Sequence, residues 1–199
     1  FVGLNINSAA DFGGQIRLLA HELDKDAVQG GEEIFAQLYL RGLAPMDTNY
    51  NIGLRLADAQ GNEIWREDGW PWGAATSDWP VGEVRPDGHH IRIPASTPPG
   101  LYKLTMSFYE PETLETLPVL DATDGALLDA GTRALALIRV GDPPAAATQF
   151  DQPWQFDRWF TLSGAALPAT AAAGDTLPLA LQWDSSEATG TDYTVFVHI

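Results

Sequence analysis

The sequence predicts an all-β chain, an immunoglobulin-like antiparallel β-sandwich present as one complete copy and part of a second. Three observations predict it. Apolar residues recur at every second position rather than at the helical ~3.6, turn residues interrupt them at short intervals, and the opening pattern returns near the end of the chain.

Residues 16–23 are the first expected strand. In 32–41, Ile34, Ala36, Leu38 and Leu40 alternate with Glu33, Phe35, Gln37 and Tyr39, and successive strand side chains point to opposite faces, so one face is aliphatic. Residues 50–57 repeat the pattern with Tyr50, Ile52, Leu54 and Leu56. Asp58-Ala59-Gln60-Gly61-Asn62 supplies a turn, and 63–68 return as a strand. Strands at 89–93, 101–109 and 135–140 complete the set, with Trp70-Pro71-Trp72-Gly73 and Thr97-Pro98-Pro99-Gly100 among the breaks. Short strands so punctuated build a two-sheet antiparallel sandwich. Residues 124–136 carry the one expected short helix. Tyr102, two residues after Gly100 at the start of a strand, is placed like the tyrosine corner of such sandwiches, where the hydroxyl ties back to nearby backbone; this assigns it a structural role.

An internal repeat is the most specific signal. Gly31-Glu32-Glu33-Ile34-Phe35-Ala36-Gln37-Leu38-Tyr39-Leu40 aligns with Gly174-Asp175-Thr176-Leu177-Pro178-Leu179-Ala180-Leu181-Gln182-Trp183 at an offset of 143. The same offset carries Tyr50, Ile52, Leu54 and Leu56 onto Tyr193, Val195, Val197 and Ile199, which makes Tyr50 and Tyr193 equivalent structural residues. One residue of slip matches Ile16, Leu18 and Leu23 to Phe160, Leu162 and Leu167. Residues 1–142 are therefore expected to be a complete sandwich. Residues 143–199 are a Pro- and Ala-rich linker and the first three strands of a truncated second copy. Three strands cannot close a sandwich, so this copy should present an apolar face to another partner. A start at Phe1, with neither Met nor signal peptide, is the expectation for a segment of something longer.

Composition removes several functions. Eleven basic against 27 acidic residues give a net charge of −16, which opposes binding to a phosphate backbone, so no nucleic acid is expected. Cysteine is absent, and with it disulfides and thiolate chemistry. No apolar run approaches the ~18 residues of a membrane span. His89 and His90 are adjacent, so in a strand they face opposite sides, and no spacing elsewhere suggests a zinc or calcium site; no metal and no cofactor is expected. Nucleophile-elbow, zinc-protease, phosphate-loop and dinucleotide motifs are missing, and no catalytic residue is assigned. A hydrolase on a sandwich scaffold is the third-ranked reading.

Trp65, Trp70, Trp72 and Trp79 form the candidate binding group. Their flat rings could stack on sugar faces while Asp68 and Asp78 take hydroxyls. Structural uses compete with ligand binding: the rings could cover an open end of the sandwich, pack between domains, or contact a protein partner.

The stretch Pro98-Pro99-Gly100-Leu101-Tyr102-Lys103-Leu104, followed by Phe108-Tyr109-Glu110-Pro111-Glu112-Thr113 and Leu117-Pro118-Val119, resembles a recurring bacterial ectodomain. Gly69-Trp70-Pro71, Thr76-Ser77-Asp78-Trp79, Gly82-Glu83-Val84 and Asp192-Tyr193-Thr194-Val195-Phe196-Val197-His198 fit the same pattern. Such immunoglobulin-like repeats follow the membrane-spanning part of polytopic proteins, often dolichyl-phosphate-mannose-type glycosyltransferases. The resemblance implies an extracytoplasmic, membrane-tethered location, with any transferase chemistry elsewhere in the parent; the expected role is a spacer or recognition module, and the tryptophan group makes a glycan or another protein its candidate partner. A protein-interaction or self-association module is the alternative.

Overall fold

The computed structural model describes residues 8–142, 147–167, 170, 179–186 and 195. The chain divides into two compact units, Phe1–Asp142 and Pro143–Ile199.

The first unit is an antiparallel β-sandwich. One sheet holds β1 (Ala10–Phe12), β2 (Ile16–Leu23), β4 (Glu33–Gly42), β7 (Val84–Arg92), β9 (Val119–Asp121) and β10 (Leu127–Asp129), in the order β10-β9-β1-β2-β4-β7. The other holds β3 (Ala27–Val28), β5 (Asn51–Ala57), β6 (Glu63–Gly69), β8 (Gly100–Tyr109) and β11 (Arg133–Val140), in the order β3-β11-β8-β5-β6. Every ladder is antiparallel except the short pairing of β3 with β11. The alternation in β4 does what its pattern requires: Ile34, Ala36, Leu38 and Leu40 are buried. They share one core with Ile52, Leu54 and Leu56 of β5 and Leu104, Met106 and Phe108 of β8. Phe12 meets Phe108 edge-on across this core, with centroids 4.9 Å apart.

All seven strands expected in the first unit form, and β7 departs most from its expected bounds. β7 begins at Val84, because Pro86 and Gly88 sit in a strand at the sheet edge, where a missing N–H breaks no ladder. The helix expected over 124–136 does not form; that segment holds β10, a turn and the start of β11. The reason is local. Asp121 accepts the N–H groups of Thr123 and Asp124, Asp124 accepts that of Ala126, and Asp129 accepts those of Gly131 and Thr132. Carboxylates that capture nearby amides favour turns over helix, and Gly125 at φ 74° supplies the left-handed corner.

Tyr102 is buried, and its hydroxyl donates to the Pro98 carbonyl at 2.8 Å, tying β8 to the loop before Gly100. Tyr50 is buried at the head of β5, where its hydroxyl accepts from Gln15 Nε2 at 3.0 Å.

In the second unit β12 (Thr148–Phe156), β13 (Phe160–Ala166) and β14 (Ala180–Ser185) form an antiparallel sheet in that order. Their register follows that of β1, β2 and β4. Phe12 pairs with Ile16, Asp11 with Arg17 and Ala10 with Leu18; Phe156 pairs with Phe160, Gln155 with Thr161 and Trp154 with Leu162. The left-handed corner at Gly13 (φ 58°) falls on Asp157 (φ 51°). Leu18 pairs with Leu40 and, after an irregularity, Ala20 with Tyr39; Leu162 pairs with Trp183 and, after an irregularity, Gly164 with Gln182. Tyr193 and the third strand expected there lie outside the described residues, apart from the single position Val195.

Candidate functional site

β6 and β7 are each the last strand of their sheet, and a connection rich in tryptophan joins them. Cross-strand partners share a face, so register assigns each side chain. On β7, Arg85 lies beside Leu40, Asp87 beside Leu38 and His89 beside Ala36, which turns all three inward. On β6, Trp65 lies beside Leu56 and Glu67 beside Leu54, also inward. The open side of the sandwich is thus closed by charged groups. His89 Nδ1 bonds Glu67 Oε1 at 2.8 Å, linking the two edges, and His89 Nε2 lies 3.1 Å from Asp87 Oδ2 as an ion pair outside hydrogen-bond geometry.

The connection adds the aromatic part. Pro71–Gly73 and Thr76–Asp78 are single 3-10 turns. Thr76 anchors the second: its hydroxyl donates to Thr48 O and accepts the Tyr50 N–H at 3.0 Å. Trp72 takes a left-handed backbone (φ 57°) and lays its ring 4.0 Å over the guanidinium carbon of Arg85; Trp79 meets the same carbon at 5.7 Å.

The structure therefore separates the candidate binding residues. Trp79 is a core residue, 5% exposed, and Trp65 packs half-buried against the core. Trp70 and Trp72 remain open, at 53% and 47%. Asp68 lies across from Gly53 on the outer face, where it accepts from Arg55 at 2.7 Å and from the Tyr109 hydroxyl at 2.9 Å. Asp78 is exposed in its turn. Sequence reasoning missed Arg85, Asp87, His89 and Glu67 as a set. Their signal, charges at alternate positions of β7, was hidden by the turn-like composition of Arg85-Pro86-Asp87-Gly88.

The buried histidines titrate in opposite senses. Burial disfavours the His89 cation, but Asp87 and Glu67 outweigh that cost and raise its pKa. His21 is lowered by burial and by Arg133; its Nδ1 bonds buried Ser8 at 2.8 Å. His89 thus stabilises the fold fully below its unfolded value of about 6.5, and this share is lost as pH rises through the higher folded value. His21 contributes above about 6.5 and is lost as pH falls. In urea unfolding, His89→Gln should cost more at pH 5.5 than at pH 8.5, and His21→Gln the reverse; equal costs at both pH values would reject the assignment.

No family model and no curated protein matches the chain. Among solved structures it is similar to the C-terminal domain of wzt, at 12% identity and TM-score 0.45 over 67% of this chain and 77% of that one. It is also similar to a Niemann-Pick type C2 protein from Japanese carpenter ant, at 6% identity and TM-score 0.39 over 61% and 89%. The CARDB domain of the PF1109 protein from Pyrococcus furiosus matches at 11% identity and TM-score 0.36 over 67% and 94%.

Proposed function

We propose that the chain is a non-catalytic recognition module that binds a glycan across Trp70 and Trp72. The observation that carries this reading is that these two indoles stay exposed on a 3-10 turn beside a row of inward-facing polar groups. Flat aromatic faces stack on the apolar faces of sugars, and neighbouring polar groups take the hydroxyls. The Ser8–His21 pair does not favour a hydrolase: both residues are buried, and the shift at His21 comes from burial and Arg133, with no carboxylate among its causes. The extracytoplasmic, membrane-tethered setting and the larger bacterial parent rest on the sequence resemblance. Residues 143–199 are read as the opening of a second sandwich, supported by the shared register, irregularity and left-handed corner.

A glycan array followed by titration with tryptophan fluorescence tests the binding. Trp72→Ala and Trp70→Ala should each weaken a hit by about 1–3 kcal/mol, the scale of one aromatic stacking contact. An array without hits would remove the glycan reading.

A second reading, self-association, is favoured by the second unit. Phe156 is 47% exposed where the matching Phe12 is fully buried, and Trp154 beside it is more open still. Light scattering should then show a concentration-dependent mass that Phe156→Ser lowers. A strict monomer at high concentration would retire this reading.

A further inference from the structure

Resting on the glycan reading above, we propose that Arg85 is the ligand-pairing residue of this site and that the ligand carries a carboxylate, as a uronic-acid glycan does. A guanidinium offers five N–H donors. The Arg85 side chain is 9% exposed, and among the described residues its Nε and Nη1 have no hydrogen-bond partner. Its one ion contact there runs from Nη2 to Glu83 Oε1 at 3.6 Å, beyond hydrogen-bond length, to a side chain that is 54% exposed. Among the described residues the indole N–H of Trp79, on a ring beside the same guanidinium, also lacks an acceptor. Glu67 is hydrogen-bonded by His89, and Asp87 is held by it as an ion pair whose Oδ2 is the one buried carboxylate oxygen of the row without a hydrogen bond among the described residues. Three open donors, Arg85 Nε and Nη1 and Trp79 Nε1, therefore stand against the single open acceptor Asp87 Oδ2, which His89 already holds as an ion pair.

A buried guanidinium with open N–H donors is unfavourable, and a carboxylate accepting two parallel N–H bonds is the group whose geometry matches its planar fork. Trp72, itself 47% exposed, lies over the guanidinium on a left-handed backbone that L side chains rarely adopt. A sugar ring stacks on or displaces this indole, and its acid group takes the place of Glu83 beside Arg85.

The test compares oligogalacturonate with its methyl ester, which keeps the rings and removes the charge. Both are titrated into the full chain by calorimetry. The acid should bind at least ~10-fold more tightly, as expected for a charge-assisted bidentate contact. Arg85→Gln should abolish that preference while the ester still binds. Glu83→Gln removes the competing internal carboxylate and should tighten acid binding; it alters an exposed side chain, so it stays informative if Arg85→Gln fails to fold. Equal affinity for acid and ester overturns the carboxylate inference and leaves glycan recognition intact. So does binding of neither when a neutral glycan on the array is bound. An array with no hits overturns the reading beneath and this inference together.

Discussion

Phe108→Ala should destabilise the first unit by about 3–5 kcal/mol, the range for deleting a fully buried aromatic ring from a packed core. Phe108 is 0% exposed and sits on β8, a central strand of its sheet. Its ring meets Phe12 of the opposite sheet edge-on, so one substitution removes the ring–ring contact between the layers and leaves a cavity bordered by both. β1 is only three residues long, so little else is available to collapse into the gap. Urea unfolding of the full chain, followed by near-ultraviolet circular dichroism, measures the loss. Leu137→Ala is the control: Leu137 lies in the adjacent strand β11 but is 59% exposed, and its loss should stay within about 0.5 kcal/mol. A Phe108→Ala loss under about 1 kcal/mol would mean that the two sheets do not share this core.

That core was legible because period-two alternation is a direct consequence of strand geometry. The alternation assigns Ile34, Ala36, Leu38 and Leu40 to one face, and all four are buried. Short pieces were not legible. β1, β3, β9 and β10 are two or three residues each, too brief to show a period, and tertiary pairing rather than local preference makes them strands. The helix expected over 124–136 failed for a different reason: side-chain capture of amides by Asp121, Asp124 and Asp129 outweighed a weak apolar pattern.

The site was half legible. Tryptophan clustering pointed to the β6–β7 connection, but sequence cannot say which ring faces in. Trp79 follows a 3-10 turn anchored by Thr76 and falls into the core, while Trp72, in the turn before it, stays outside. The charged row is invisible for a deeper reason. Asp87 in a Pro-Asp-Gly run reads as a turn residue, and only pairing with β4 shows that it points between the sheets.

At pH 5.5 Asp87→Ala should cost about 3–5 kcal/mol, because it strips the buried His89 cation of its one buried carboxylate and leaves only Glu67, whose side chain is 45% exposed. Asp87 and His89 are both nearly inaccessible, so solvent cannot replace the lost partner. Replacing the whole row behaves differently. Arg85→Leu, Asp87→Leu and His89→Leu together put aliphatic groups beside Leu40, Leu38 and Ala36, which removes the desolvation penalty along with the pairing. The triple variant should be at least as stable as the parent chain in urea. Its defect should appear elsewhere. β7 is an edge strand, and inward charges are one means of stopping an edge from pairing with another molecule. The triple variant should therefore elute from size-exclusion columns with an apparent mass that rises with concentration, and it should lose any acid-selective ligand binding through Arg85. If the triple variant were as unstable as Asp87→Ala alone, the charges would be holding the sheets together. If it were stable and remained monomeric, protection of the edge would be rejected, and ligand recognition would be left as the reason for the row.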